Sequence, residues 1–172
     1  SELSLEMLEN FNPCFVLDLT ATPKKESNII SYVDAVQLKN EHMVKLPVIV
    51  YNRDSQSEVL IDAIDLRNKL EEIASAEYAK TGKYIRPIAL FQAQPKGKED
   101  ATTFEKLRDK LVDAGIPAEQ IAIRTADVNE LKNSDLMSPS CPIRYIITVN
   151  ALKEGWDCPF AYILASLANK TS

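Results

Sequence analysis

Apolar and polar residues alternate along this chain in short blocks, and the blocks predict strands separated by helices. Apolar runs of strand length occupy residues 14–19 (CFVLDL), 46–51 (LPVIVY), 87–91 (PIALF), 120–124, 144–149 and 160–167. Segments with helical spacing lie between several of these runs. Because strands that alternate with helices need crossover connections, the pattern predicts an α/β fold with a mainly parallel sheet covered on both faces.

Two of the predicted helices carry start signals. Ser55 and Glu58 have the spacing of a capping box, and Gly82 ends the apolar stripe that follows them. Thr102 and Glu105 repeat the capping-box spacing ahead of a second stripe. We therefore expect a long helix to about residue 80 and a shorter one that begins after Thr102.

Polar side chains follow several of the predicted strands. Gln92 and Gln94 come after one strand, and residues 150–157 come after another. In open parallel sheets, ligands bind beyond the carboxyl ends of the strands, so both groups should lie along one edge. Thr20 and Thr22 also follow a predicted strand, but we place them in a preceding domain.

Residues 150–159 form a polar loop between two predicted strands. Gly155 permits a backbone conformation or a close approach that a β-carbon would forbid, and the carboxylate of Asp157 offers two acceptor oxygens. This combination is typical of a ligand-binding loop. The alternative is a simple connection, in which Gly155 relieves a turn, Asp157 caps a backbone amide and Trp156 fills the core.

Three segments resemble motifs of superfamily 2 helicases and translocases, in the form found in the restriction subunits of type III restriction enzymes. Residues 147–159 (ITVNALKEGWDCP) resemble motif V, and residues 17–23 (LDLTATP) resemble motif III. Residues 85–94 (IRPIALFQAQ) have the position and composition of motif IV. The three segments follow the order of the family and span most of the chain.

The resemblance implies a domain organisation. Residues 1–45 would be the end of the first motor domain and the crossover, and residues 46–172 a second RecA-like domain, of three layers and incomplete at its C-terminal end. The sequence has no G-x-x-x-x-G-K-[ST] segment, no acidic motif II and no motif VI. We therefore expect a fragment that does not hydrolyse ATP alone.

The resemblance also implies roles for individual residues. Gly155, Asp157 and Glu154 would lie at the ATP cleft, with Mg²⁺ held mainly by the first motor domain, and Thr20 and Thr22 would couple nucleotide state to nucleic-acid contact. The positions implied for nucleic-acid contact are Gln92, Gln94, Asn150 and Lys153. The implied partners are DNA, the first RecA-like domain in cis and a modification (methyltransferase) subunit.

Composition and charge narrow this picture. The net charge is −5 and the isoelectric point is about 5.0, so any DNA contact needs a local basic patch or a partner domain. No apolar run approaches the length of a membrane span, and no segment resembles a signal peptide. We expect a cytoplasmic protein without a membrane partner.

Other chemistry finds little support in the sequence. Cys14, Cys141 and Cys158 lack C-x-x-C spacing, and His42 is the only histidine, which argues against a metal site or a disulfide scaffold. Residues 130–132 form an E-x-K triplet of the kind found in nucleases, which we attribute to chance.

Two other functions fit the same pattern. One is a non-catalytic α/β module that binds a protein partner through its loops. The other is a nucleotide-sugar-dependent transferase, since a parallel sheet with a terminal glycine-acid loop also suits that ligand.

Overall fold

The computed structural model describes residues 7, 10–20, 22–23, 25, 28–41, 43–44, 47–95, 102–149 and 158–167. Its contacts divide the chain into two units, Ser1–Val50 and Tyr51–Ser172. The predicted domain boundary after residue 45 stays a prediction.

The second unit is built on a parallel sheet. The strands are β1 (Ile88–Gln92), β2 (Ile121–Ile123), β3 (Tyr145–Thr148) and β4 (Ala161–Ser166). They lie in the order β2-β3-β1-β4, and each neighbouring pair is parallel. β1 and β3 are central, and each is apolar up to its last residue, as expected for strands with both faces covered.

The helices among the described residues are α1 (Ala35–Asn40), α2 (Gln56–Thr81) and α3 (Phe104–Asp113), with a 3₁₀ turn at Ala118–Gln120. The predicted capping box of α2 is confirmed, because the Ser55 hydroxyl accepts from the Glu58 amide at 3.2 Å and the Ser55 amide donates to the Glu58 carboxylate at 3.3 Å. Gly82 ends the helix with a left-handed φ of 70°. No described helix combines the length and the apolarity needed to cross a bilayer.

The predicted cap of α3 is wrong by one residue. Thr103 is the N-cap, and its hydroxyl accepts from the Lys106 amide at 3.5 Å. The neighbouring Thr102 is buried and bonds to Gln56 and Gln94 instead. Tertiary contacts therefore decided which of two adjacent threonines caps the helix.

Three layers make up the second unit. The layer of helices packs on one face of the sheet through Leu60, Ala63, Leu107 and Leu111, against Phe91, Tyr145, Ile147 and Ile163. Irregular chain covers the other face through Leu131, Leu136, Cys141 and Ile143, against Ile88, Leu90 and Ile146. That cover stops short of β4, where Leu164 stays 70% exposed. This is the three-layer, RecA-like α/β arrangement that the sequence predicts.

Glu130 closes the outer edge of β2. The Glu130 amide donates to the Ile123 carbonyl at 3.0 Å, and the Ile123 amide donates to the Glu130 carboxylate at 2.7 Å. The same carboxylate accepts from Arg108 at 3.0 Å. These contacts give the acid of the E-x-K triplet a structural role at the edge of the sheet.

Two predicted strands are wrong in the described residues. Residues 14–19 and 47–51 have no strand structure, and their apolar side chains lie in solvent, with Leu19 at 89% and Val50 at 85% exposure. A strand forms only with a neighbour to pair with, and a β-prone composition does not supply one. Pro47 also lacks the amide that a ladder would use.

Candidate functional site

Three adjacent strands end in hydrogen-bonding side chains. In the register of the sheet, Gln92 at the end of β1 lies opposite Thr148 of β3 on one side and Ser166 of β4 on the other. Thr148 is buried, whereas Gln92 and Ser166 are half-buried. The row marks the carboxyl edge of the sheet, where parallel α/β proteins bind ligands.

Gln92 and Ser166 are joined in two ways. The Ser166 hydroxyl donates to Gln92 Oε1 at 3.0 Å, and the backbone amide of Leu167 donates to the Gln92 carbonyl at 2.9 Å. With Oε1 acting as the acceptor, Nε2 is the donor end of the amide. The hydrogen bonds that Gln92 makes with Ser166 and Leu167 engage Oε1 and the backbone carbonyl, not Nε2.

Gln94 lies two residues further on and is only 9% exposed. Its Nε2 donates to the Leu167 carbonyl at 3.0 Å, and its Oε1 accepts from the Thr102 amide at 3.0 Å. The backbone amide of Gln94 also donates to the Thr102 carbonyl at 2.9 Å. The structure therefore gives both ends of this carboxamide protein partners.

Gln56 completes a closed ring of hydrogen bonds with these groups. Its Nε2 donates to the Leu167 carbonyl at 3.2 Å, and its Oε1 accepts from the Thr102 hydroxyl at 2.7 Å. The ring thus runs from Leu167 through Gln94, Thr102 and Gln56 back to Leu167. We call these four residues the carboxamide ring.

The carboxamide ring also brings two helix starts to the carboxyl edge. Gln56 is the first residue of α2, and Thr102 directly precedes the N-cap of α3. The N-terminus of a helix carries positive partial charge and favours anions nearby. The edge therefore combines amide and hydroxyl groups with the positive ends of two helix dipoles.

The opposite edge of the sheet holds a charged cluster. Glu71 of α2 accepts from Arg67 and, at 2.9 Å, from Arg144, which precedes β3. The Arg67 guanidinium lies 5.3 Å from the centre of the Tyr145 ring. Burial raises the pKa of Tyr145 above its ordinary value of 10.0, and the charge of Arg67 opposes that rise. These contacts tie α2 to the start of β3 and have a structural role.

The structure brings some of the predicted site residues together and leaves others undescribed. Gln92 and Gln94 lie at the carboxyl edge as expected. Thr20 and Thr22 belong to the first unit, where both are exposed and the Thr22 amide donates to the Thr20 hydroxyl at 3.1 Å. The predicted positions that lie outside the described residues are Asn150, Lys153, Glu154, Gly155 and Asp157.

Sequence reasoning missed Gln56, Thr102 as a ring member, and Ser166. Ser166 had a signal, since it is a hydroxyl residue next to the end of an otherwise apolar run. Gln56 resembled any polar residue in a first helical turn, and Thr102 resembled a cap. Among the described residues, no group of three or more histidine, cysteine or acidic side chains is placed to hold a metal ion.

We compared the chain with protein-family models, curated proteins and solved structures. No family model, curated protein or solved structure matches this chain. The resemblance of three segments to motor motifs therefore stays a prediction.

Proposed function

We propose that this chain is part of an ATP-dependent DNA translocase or helicase of a restriction-type system. It would supply one wall of the ATP cleft and part of the nucleic-acid track. The observation that supports this proposal most is the position of β3 in the sequence and in the sheet. That strand ends at Thr148, the second residue of the segment that resembles motif V (residues 147–159), and lies beside β1, which is part of the segment that resembles motif IV.

The roles of the motif residues follow from this proposal. Gly155, Asp157 and Glu154 would face ATP, and Asn150 and Lys153 would contact DNA together with Gln92. Thr20 and Thr22 would couple the two activities. The first RecA-like domain would supply the phosphate-binding loop and most of the Mg²⁺ ligands, because this chain has no G-x-x-x-x-G-K-[ST] segment. A modification subunit and a cytoplasmic location belong to the same proposal.

The proposed mechanism is closure of a cleft. ATP bound between two RecA-like domains would be contacted by Gly155 and Asp157 from this side. Changes in the cleft would then shift the polar groups at the carboxyl edge along the DNA backbone. Since the chain has a net charge of −5, we expect weak DNA binding by the chain alone.

ATP hydrolysis tests the proposal. We would measure turnover, with and without duplex DNA, for this chain and for a longer protein that contains it together with a first motor domain. We expect hydrolysis only by the longer protein, stimulated by DNA and reduced by Asp157→Ala. Absence of ATP hydrolysis in both proteins would contradict the motor and favour a binding module.

A further inference from the structure

The carboxamide ring changes the role of one residue that the sequence assigns to nucleic-acid contact. Gln94 is buried, and both ends of its carboxamide bond within the protein. Gln92 is half-buried, and its bond with Ser166 engages Oε1, the acceptor end of the carboxamide. The two glutamines therefore differ in burial and in hydrogen bonding although they stand two positions apart.

A continuous set of bonds links the carboxamide ring to Gln92. Two carboxamides, from Gln94 and Gln56, hold the Leu167 carbonyl. The amide of the same residue donates to the Gln92 carbonyl, and the adjacent Ser166 hydroxyl donates to Gln92 Oε1. The position of Leu167 thus sets the position of Ser166, and Ser166 sets which end of the Gln92 amide faces outward.

We infer that Gln94 and Gln56 are positioning residues, which act through Leu167 and Ser166 to hold Gln92 Nε2 ready to donate to an acceptor oxygen of the ligand. A phosphate oxygen suits this donor, because the edge also carries the starts of α2 and α3. The identity of the ligand as DNA rests on the proposed function.

Side-chain NMR of the full chain tests the positioning directly. The Gln92 amide signals would be compared in wild type, Gln94→Ala and Gln56→Ala, with Gln120→Ala as a control at a half-buried glutamine before β2. We expect the first two substitutions to shift or average the Gln92 signals and the control to leave them unchanged. Gln92→Ala should leave the Gln94 and Gln56 signals in place, because the ring closes without it.

A conservative variant supplies a rescue. In Gln94→Glu, a carboxylate still accepts from the Thr102 amide but cannot donate to the Leu167 carbonyl. At neutral pH the variant should therefore resemble Gln94→Ala. Below the carboxyl pKa, ordinarily about 4.3, the protonated acid can donate again, and the wild-type Gln92 signals should return.

Binding of a fluorescein-labelled DNA duplex supplies the functional comparison. We expect Gln92→Ala, Gln94→Ala and Gln56→Ala each to weaken binding by about tenfold at neutral pH, the effect of one hydrogen bond to a charged group. If wild type does not bind DNA but Gln94→Ala alters the Gln92 signals, the proposed ligand is wrong and the positioning stands. Unchanged Gln92 signals in both Gln94→Ala and Gln56→Ala would overturn the positioning, whatever DNA does.

Discussion

The guanidinium of Arg86 lies in the interior of the second unit and organises the irregular layer around it. The residue is 1% exposed, and it donates to the carbonyls of Leu136, Ser138 at 2.7 Å and Cys141 at 2.9 Å. Its planar head also lies 5.6 Å from the centre of the Phe160 ring. One side chain thus satisfies several backbone acceptors in a segment without helix or strand.

Loss of the Arg86 head should be among the costlier single changes. We expect Arg86→Met to lower the free energy of unfolding by about 3 kcal/mol, because buried carbonyls lose a charged donor. Urea denaturation followed by circular dichroism measures this. Lys132→Met, at an exposed position of the same layer, serves as the control and should change stability by less than about 0.5 kcal/mol. Equal effects of the two substitutions would contradict the role of Arg86.

Tyr145 should make stability depend on alkaline pH. Burial raises its pKa in the folded chain above the ordinary value of 10.0. The unfolded chain therefore loses the phenolic proton first, and the free energy of unfolding should fall as pH rises above 10.0 toward the folded pKa. Below that range the contribution is fully present.

Substitution separates this effect from general alkaline unfolding. Tyr145→Phe removes the titrating group, so its stability should fall less than that of wild type between neutral pH and pH about 11. Tyr32→Phe, at a residue that is 74% exposed in the first unit, should keep the wild-type decline. Urea denaturation at both pH values decides the matter, and parallel curves for Tyr145→Phe and wild type would refute the assignment.

Among the elements, α2 begins at a capping box that the sequence predicts. Ser55→Ala removes the hydroxyl that accepts from the Glu58 amide and should cost about 1 kcal/mol of stability. Ser57→Ala is the matched control, since Ser57 is exposed in the first turn and alanine favours helix. The free energy of unfolding from urea titrations should fall for the first variant and stay constant or rise for the second. A smaller loss for Ser55→Ala than for Ser57→Ala would show that the cap does not support the helix.

The elements that sequence reasoning found are those that local signals determine. The cap and the end of α2 depend on residues within a few positions, and the strands β1 and β3 are apolar up to their last residue. Residues 14–19 and 47–51 have the same composition, but pairing decides whether such segments become strands. Composition cannot show whether a partner strand is present.

In the candidate site too, features set by neighbouring residues could be predicted from the sequence, and features set by distant residues could not. The end of a predicted strand marked Gln92 and Gln94 as edge residues. The bonds that distinguish their surroundings join residues 46, 73, 74 and 111 positions apart, so no local pattern reveals them. Thr102 is a further example. It was predicted to cap α3, but its hydroxyl bonds to Gln56 of α2, which is distant in sequence.

At the scale of the whole molecule, the two units differ in the burial of their apolar side chains. The second unit has two apolar clusters, one on each face of its sheet. In the first unit, the described residues include none that is buried, and large apolar side chains such as Phe15 and Leu19 are 74% and 89% exposed. Stability should therefore reside in the second unit, and the first should present apolar surface.

Removal of the first unit tests this division. We expect residues 51–172 to unfold cooperatively, with a free energy of unfolding within about 0.5 kcal/mol of that of the full chain. The urea m value should also be similar, because it scales with the surface that unfolding exposes, and that surface comes mainly from the second unit. Binding of the dye ANS to the native protein should fall on removal, since the exposed apolar side chains are lost. A loss of more than about 1 kcal/mol on removal would show that residues before Tyr51 stabilise the sheet, and the units would then have to be treated as one folding unit.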